Sequence, residues 1–315
     1  MPRSPSEGDG GDAVSPDEAF ALLGNDTRVG ILRALWNEFE SGKGDNALQY
    51  SELFARVDIE DSGNFSYHLE KLTGPFVRGT DEGYELKQTG INVVRAVVAG
   101  TVVDDPEFGP VPVDIDCPIC EASVEVAYTD ELLTAACTAC EGALRWNGES
   151  GFLFLGLVPP AGIEQRPIDE AFRTTVTHTF HEIAALTDDV CPHCAGSVEV
   201  TFDVCPNHDS GTRSLCTACD RSHMAEVWLV CKTCKRSTFP PVSGVVLDHP
   251  SVTTFYYRHG IEYRFASWET VVRSFDVREE LLSEDPLEMR FTIPVGDDTL
   301  RITLDDGLNV IDVSQ

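Results

Sequence analysis

The feature that most constrains this chain is the spacing of its eleven cysteines, ten of which form Cys-x-x-Cys pairs. The pairs are Cys117/Cys120, Cys137/Cys140, Cys191/Cys194, Cys216/Cys219 and Cys231/Cys234, and Cys205 is single. Disulfide frameworks belong to small secreted chains, whereas this chain has 315 residues. Two thiolates separated by two residues fit one tight turn and can both reach a tetrahedral metal ion. The spacing therefore predicts metal binding.

The first two pairs predict a closed zinc site within a ribbon over residues 113–158. Sixteen residues separate Cys120 from Cys137, and segments 123–128 and 132–136 can form the two strands between the pairs, with 143–146 as a third. Four thiolates leave no open coordination position, so a zinc ion held by Cys117, Cys120, Cys137 and Cys140 would be structural.

A second ribbon over residues 189–243 repeats features of the first. Ser-Val-Glu-Val occurs at 123–126 and 197–200, and Cys-Thr-Ala-Cys at 137–140 and 216–219. This repetition favours one zinc site formed by Cys191, Cys194, Cys216 and Cys219. Cys205, Cys231 and Cys234 then need a fourth ligand, which His208 can supply because Cys205-Pro-Asn-His208 has the same two-residue spacing. The alternative is that His208 lies on the surface and only three thiols meet there.

Residues 16–100 have helical periodicity followed by a hairpin. Helices are expected at 15–23, 27–39, 50–57, 61–72 and 89–99, with a hairpin over 76–87 and a loop at 41–46. In the fourth helix Phe65, Leu69 and Leu72 recur at i, i+4 and i+7, so they should face the core. This order of elements predicts a winged helix-turn-helix.

Two stretches resemble a known family. LGNDTRVGILRALW (residues 23–36) is similar to the opening of ArsR-like winged-helix regulators, and DSGNFSYHLEKL (residues 61–72) resembles their recognition helix. Together with the later cysteine pairs, the chain resembles haloarchaeal regulators of this type that carry zinc ribbons. The resemblance implies binding to double-stranded DNA as a homodimer. Residues 16–100 contain no cysteine, so metal sensing is not expected within them.

On this reading, the residues of the fourth helix that do not face the core would read the major groove, and the hairpin would contact the backbone or minor groove. The major-groove candidates are Ser62, Asn64, Ser66, Tyr67 and Lys71, and the hairpin candidates are Arg78 and Thr80. His68 is left open between a phosphate contact and a packing role.

The strongly acidic composition of the chain indicates the kind of cell in which it functions. Asp and Glu total 53 against 23 Lys and Arg, which gives −30. The acids are spread along the chain rather than confined to a tail. A lysine-poor acidic surface keeps a protein hydrated where molar salt screens charge over about 3 Å. We therefore expect the cytoplasm of a halophilic archaeon, with no secretory signal and no membrane span.

The remaining segments complete an α+β multidomain fold. Residues 1–15 are expected to be a disordered tail, 104–112 a linker, and 159–188 a loop with a connecting helix at 168–186. The tail 244–315 predicts a small α+β domain, with a helix at 251–259 and strands near 287–293, 300–304 and 308–310.

These observations favour a sequence-specific DNA-binding transcriptional regulator with three structural zinc ions. A dimer interface is expected on the first and last helices of residues 16–100, or on the 168–186 helix. No nucleophile elbow, P-loop, dinucleotide fingerprint or zinc-protease motif is present, so we do not expect an enzyme. Two alternatives remain: a zinc-ribbon scaffold that binds transcription-machinery proteins, and a zinc-responsive regulator whose weakest site, at Cys205 and His208, empties first.

Overall fold

The computed structural model describes residues 16–39, 47–100, 106–164, 166–209 and 214–315. The chain divides into two compact units, residues 1–104 and 105–315. Both helices and several antiparallel sheets are present, which confirms the predicted mixed α+β class. The predicted tail at 1–15 and the predicted loop at 41–46 lie outside the described residues.

In its described residues, the N-terminal unit consists of five helices and one hairpin. They are α1 (Pro16–Leu23), α2 (Asp26–Glu38), α3 (Tyr50–Ala55), α4 (Ser62–Leu72), β1 (Val77–Thr80), β2 (Gly83–Leu86) and α5 (Gln88–Val98). Side chains cap two of the helices: Asn25 accepts a hydrogen bond from the N–H of Arg28 at 3.1 Å, and Asp61 accepts one from the N–H of Asn64 at 2.6 Å. Each satisfies a backbone donor that the helix itself cannot pair.

This unit has its own apolar core. Ile31 and Leu35 of α2 are at most 1% exposed, and so are Phe65 and Leu72 of α4. Phe65, Leu69 and Leu72 therefore face the core as predicted. Burying each such side chain contributes about 1.5–3 kcal/mol, and the cluster contains no cysteine.

The C-terminal unit begins with a five-stranded antiparallel sheet. Its strands are β3 (Phe108–Asp116), β4 (Ser123–Thr129), β5 (Leu132–Cys137), β6 (Leu144–Trp146) and β7 (Glu149–Leu157), in the order β3-β4-β5-β7-β6. The predicted third strand at 143–146 exists, but β7 lies between it and β5. The apolar run that makes up β7 pairs along β5 and fills the inner position.

The predicted linker at 104–112 is wrong from Phe108 onward. β3 begins there and pairs with β4, from Phe108 opposite Tyr128 to Asp116 opposite Ser123. Pro110 and Pro112 are typical of a linker because proline lacks an N–H donor. Edge strands tolerate this loss, and β3 is an edge strand whose register shifts between Phe108 and Val111.

One long helix follows this sheet in the chain. A short 3₁₀ turn (Pro160–Gly162) leads to α6 (Ile168–Thr187), and the three-stranded sheet of β8 (Val198–Val204), β9 (Ala225–Cys231) and β10 (Ser237–Thr238) follows. Three helices come next, α7 (Val242–Val246), α8 (Pro250–Arg258) and α9 (Trp268–Ser274). The chain closes with the antiparallel sheet of β11 (Arg278–Glu284), β12 (Leu287–Val295), β13 (Asp298–Asp305) and β14 (Val310–Ser314). The sequence predicted α8, β12 and β13, but not α7, α9 or β11, and the strand expected at 308–310 begins only at Val310.

One continuous core joins most of these elements. Buried side chains run from Val113 in β3, through Phe172 and Ile183 in α6, to Leu304 in β13. Eight residues of α6 are buried, so its apolar face is already covered within the unit.

Candidate metal centres and nucleic-acid interface

The first candidate metal centre lies at one end of the β4–β5 hairpin. Cys117 and Cys120 precede β4, and Cys137 and Cys140 end and follow β5, so the antiparallel pairing brings the two pairs together. Cys117 Sγ lies 3.7 Å from Cys140 Sγ, and Cys120 Sγ lies 3.4 Å from Cys137 Sγ. All four sulfur atoms are within 4.8 Å of one another, so the four cysteines predicted to share one metal ion do form one cluster that could hold it.

The second ribbon contains two centres, as predicted, but the predicted division of ligands between them is wrong. Cys191 and Cys194 meet Cys231 and Cys234, whereas Cys205 and His208 meet Cys216 and Cys219. The Sγ atoms of Cys191 and Cys234 are 3.5 Å apart, as are those of Cys194 and Cys231. His208 does complete a four-ligand cluster, with its Nδ1 lying 3.6 Å from Cys219 Sγ.

The direction of strands β8 and β9 explains why the two cysteine pairs Cys216/Cys219 and Cys231/Cys234 belong to the opposite centres from those predicted. β8 and β9 are antiparallel, with Val198 opposite Cys231 and Val204 opposite Ala225. Cys231, at the end of β9, therefore lies beside the start of β8 and the Cys191 pair. Cys205, just after β8, instead lies beside the start of β9, where its N–H donates to the Met224 carbonyl at 2.9 Å. The two strand ends that the predicted pairing brings together lie at opposite ends of the hairpin.

Four of the cysteine pairs share one backbone turn. In each, the N–H of the residue after the second cysteine donates to the carbonyl of the first, as from Glu121 to Cys117 at 2.9 Å. The N–H of the first cysteine donates to the carbonyl five residues later, as from Cys117 to Ala122 at 2.9 Å. The residues after the second cysteine all have positive φ: Glu121, Ala195, Asp220 and Lys235. In the fifth pair, Cys137/Cys140, the residue after the second cysteine, Glu141, does not have a positive φ, and Gly142 has a φ of 71° instead.

The donor sets fit a tetrahedral ion such as zinc. Zinc bound by thiolates at 2.3 Å separates the sulfur atoms by about 3.8 Å, and an imidazole nitrogen from a sulfur by about 3.6 Å. The measured separations are close to these values. None of the eleven cysteines forms a disulfide. Backbone N–H groups also point at the sulfur atoms, with Ile119 N 3.4 Å from Cys117 Sγ and Ala139 N 3.3 Å from Cys137 Sγ.

The thiols of each centre ionise with unequal ease. Although burial opposes ionisation of Cys137, N–H donors from Ala139 and Cys140 outweigh it and lower the pKa of this thiol to about 7. The N–H of Cys234 likewise lowers the pKa of Cys231 to about 6. The Gly196 N–H favours ionisation of Cys194, but the neighbouring thiols raise its pKa to about 12. One thiol of a centre thus ionises easily, but a second thiolate beside the first is unfavourable because the two negative charges repel. A bound cation removes this repulsion.

His208 has the properties of a metal ligand. Burial, followed by the charge of His223, lowers the pKa of its imidazole, which favours the neutral form that binds metal. The backbone of Ser222 hydrogen-bonds the ring, and such a contact fixes the orientation of a ligating histidine.

A separate candidate interface lies on α4 and the β1–β2 hairpin. The seven exposed candidate DNA contacts are Ser62, Asn64, Ser66, Tyr67, Lys71, Arg78 and Thr80. Tyr67 is 53% exposed, and the Lys71 ammonium lies 5.7 Å from the centre of its ring. The Ser66 hydroxyl is 2.6 Å from the hydroxyl of Tyr50 on α3. These side chains form a polar face on one side of α4.

Two of the predicted contacts, His68 and Arg78, interact with charged side chains of the same unit. His68 is only 8% exposed, and its Nδ1 lies 3.4 Å from a guanidinium nitrogen of Arg28. Burial, with the charge of Arg28, lowers its pKa. These contacts assign His68 a packing role and separate it from the exposed face. Arg78 forms an ion pair across the hairpin with Glu85.

The C-terminal unit also contains a cavity that was not predicted from the sequence. Its lining residues come from β5, β6, β7, α6, the start of β9, β10, α7, α9 and β11, and from loop positions that include His208. Glu279 and Thr179 are among them. No motif could indicate this site, since its residues come from many separate segments of the chain.

Comparison with known families assigns both parts of the chain. A profile described as Domain of unknown function (DUF7351) matches residues 114–310, more than half of the chain. The chain belongs to the DUF7351 family. A second profile, Domain of unknown function (DUF7347), matches residues 16–97. The DUF7351 match spans all three metal centres.

No curated protein and no solved structure matched the chain. Among the residues that the structure describes, none of the helices has the length and apolar character needed to cross a bilayer.

Proposed function

We propose that this DUF7351 protein is a sequence-specific DNA-binding transcriptional regulator, with an N-terminal winged helix resembling the ArsR-like regulators. The observation that carries the proposal is the exposed polar face of α4. Helix α4 follows α3 after a short turn and is itself followed by a hairpin, the order of elements in winged-helix DNA readers. Its buried side carries Phe65, Leu69 and Leu72, which leaves the other side free to enter a groove.

Individual side chains of this face have the chemistry of base and phosphate recognition. Asn64 and the hydroxyls of Ser62 and Ser66 offer both donors and acceptors to base edges. Tyr67 and Lys71 extend from the same helix and hold each other in a cation–π contact. Thr80 lies near the tip of the hairpin, where a wing would meet the DNA backbone.

Attraction between opposite charges would contribute little to the affinity of this protein for DNA. A net charge of −30 opposes DNA binding at low salt, and molar salt removes most counterion-release affinity. Hydrogen bonds, shape and helix N-terminal contacts must then supply the affinity. The acidic, lysine-poor composition is consistent with the cytoplasm of a halophilic archaeon.

We further propose that the three centres hold zinc and that each is structural. Each centre supplies four ligand groups, so a tetrahedral ion would have no open position for substrate or water. A bound ion would supply folding energy, and this supports a regulator rather than an enzyme.

The proposed homodimer would form through the ends of the N-terminal unit. Phe20 on α1 is 76% exposed and Val98 on α5 is 53% exposed. Helix α6, the alternative interface, is unsuitable because its apolar face is buried within its own unit.

In vitro selection from a random double-stranded DNA library tests this function. The zinc-loaded full-length chain would be used at about 2 M KCl, beside a Tyr67→Ala/Lys71→Ala variant. We expect an enriched motif with two half-sites, and at least a tenfold loss of affinity for it in the variant, because one stacking side chain and one cation are removed.

A matched control removes one cation and one polar group from elsewhere in the same unit. Arg33 and Asn37 are exposed on α2, so Arg33→Ala/Asn37→Ala should retain the affinity of the unmodified chain. If the folded, zinc-loaded protein enriches no motif, DNA reading by this protein alone is wrong. The ribbons would then be studied as modules that bind transcription proteins.

A further inference from the structure

A cavity of about 520 Å³ lies within the C-terminal unit. Its walls are mostly apolar and include Leu153, Phe154, Phe180, Ile183, Phe275 and Val277. Sites that bind small molecules have this size and character, together with a few placed polar groups. The residues that line the cavity all belong to the C-terminal unit, whereas α4 belongs to the N-terminal unit, and the inference does not rest on DNA binding.

Glu279 of β11 is the polar group that stands out in this cavity. Its Oε2 accepts hydrogen bonds from the N–H groups of Met224 at 2.6 Å and Ala225 at 3.2 Å. These two bonds fix the carboxyl group in one orientation. The other oxygen, Oε1, is buried and has no hydrogen-bond partner among the described residues. A buried carboxyl oxygen is therefore held in place with its acceptor capacity unused.

The other two acidic residues that line the cavity form ion pairs with basic side chains. Glu226 pairs with Arg221 and with His223, whose Nε2 is 3.1 Å away. Glu182 pairs with Arg236 at 2.6 Å. In the described part of the chain no ion pair includes Glu279. Burial raises its pKa, and the charge of His223, the two N–H donors and the nearby Ser243 hydroxyl only partly offset this.

A second lining residue, Thr179, also has a buried oxygen atom without a hydrogen-bond partner among the described residues. Thr179 of α6 donates no hydrogen bond and receives none at its buried Oγ1, within the described residues. Buried polar groups are paired in most proteins, by protein atoms, water or ligand. Two unpaired oxygen atoms on one apolar cavity point to a ligand that brings a polar group of its own.

We propose that this cavity binds a small, largely apolar molecule with one hydrogen-bond donor, an alcohol or an amine, which donates to Glu279 Oε1. The aromatic rings of Phe154, Phe180 and Phe275 would surround its apolar body. An anionic ligand is disfavoured by the carboxyl group of Glu279, the acidic group of the cavity for which the described residues supply no ion pair. A hydrocarbon without a donor would fill the space but leave Oε1 unpaired, at a cost in affinity.

Three probes with one carbon skeleton test the donor requirement. These are 2-phenylethanol, 2-phenylethylamine and ethylbenzene, titrated into the zinc-loaded full-length chain and followed by protein-observed NMR. We expect at least one of the two donor probes to bind at least tenfold more tightly than ethylbenzene. The stronger of the two identifies the ligand class as alcohol or amine.

Two variants locate the binding. Gly244→Leu should abolish binding of all three probes by filling the cavity. A Cβ atom at Gly244 would meet Pro241 and Phe180 only at 3.8 Å and 3.9 Å, so the fold has room for it. Glu279→Gln replaces the free acceptor by an amide donor and should weaken 2-phenylethylamine at least tenfold. The alcohol should lose less, because it can also accept a hydrogen bond.

The matched control is Glu280→Gln, on the neighbouring exposed residue that pairs with Arg290; it should bind the probes as the unmodified chain does. Absence of saturable binding by any donor probe to the unmodified chain would overturn the proposal. So would equal affinity for all three probes, or binding that persists in Gly244→Leu. The comparison of probes on the unmodified chain decides the question even where a variant does not fold.

Discussion

At the scale of single residues, four of the cysteine pairs in the metal centres are followed by a residue with positive φ, a conformation that is unfavourable for any residue with a Cβ atom. Glu121, Ala195, Asp220 and Lys235 all occupy the left-handed region, at a cost of about 1–2 kcal/mol for a residue with a Cβ atom. The turn is nevertheless closed by two backbone hydrogen bonds in each case. Metal binding, at about 10–16 kcal/mol for a structural zinc site, easily exceeds this cost.

Glu279 gives a pH prediction at the same scale. Its pKa is raised by burial above the ordinary 4.5, so the folded state binds this proton more tightly than the unfolded state does. The contribution of Glu279 to stability is therefore fully present below pH 4.5 and is lost as the pH rises through the raised pKa. We expect Glu279→Gln, which cannot ionise, to gain stability relative to the unmodified chain over that interval.

Denaturant unfolding of both proteins, in matched buffers from pH 4.5 to 8, measures this difference. Loss of metal at low pH affects the two proteins alike, so the difference between them isolates the carboxyl. Glu280→Gln separates the effect of burial from that of removing one negative charge. A difference that stays constant or shrinks as the pH rises would contradict the prediction.

At the scale of elements, one antiparallel hairpin decides which ligands meet. The β8–β9 hairpin has two cysteine pairs at its open end, Cys191/Cys194 and Cys231/Cys234, just as the β4–β5 hairpin has two in the first ribbon. The Cys205–Cys219 centre is an insertion at the opposite end. The second Cys-Thr-Ala-Cys motif therefore belongs to the insertion, and Cys231-Lys-Thr-Cys234 is the counterpart of Cys137-Thr-Ala-Cys140.

Paired cysteine substitutions test this arrangement. Cys194→Ser/Cys234→Ser changes one centre, so the purified chain should keep two metal ions. Cys194→Ser/Cys219→Ser changes two centres and should keep one. Elemental analysis of the variants beside the unmodified chain, which should bind three, measures the difference. The opposite result, one ion in the first variant and two in the second, would restore the pairing expected from the repeated motif.

Features with local signals could be predicted from the sequence, and those that depend on distant pairing could not. Helix α4 was predicted within a residue because Asp61 caps it and Phe65, Leu69 and Leu72 repeat at helical spacing. All twelve metal-ligand residues followed from their two-residue spacing. The ligand sets of the second ribbon did not, because strand direction is a tertiary property. β3 was missed because its prolines are typical of linkers, while α7 and α9 are too short for a clear period.

At the scale of the whole molecule, the two units have different sources of stability. The N-terminal unit has an apolar core without cysteine. The C-terminal unit has one core that includes Cys117, Cys137, Cys191 and Cys231, so its metal centres and its apolar packing are parts of the same structure. Loss of the ions should therefore affect the second unit throughout and leave the first unit largely intact.

Metal removal is the prediction that follows. A domain is stable by about 5–15 kcal/mol, whereas each structural zinc site supplies about 10–16 kcal/mol. We expect excess chelator to unfold residues 106–315 and to leave residues 16–39 and 47–100 folded. Hydrogen–deuterium exchange followed by mass spectrometry reports both units in one sample, and zinc added back should restore protection. Protection that persists in the C-terminal unit, after elemental analysis shows the metal to be gone, would mean that its apolar core is sufficient without the ions.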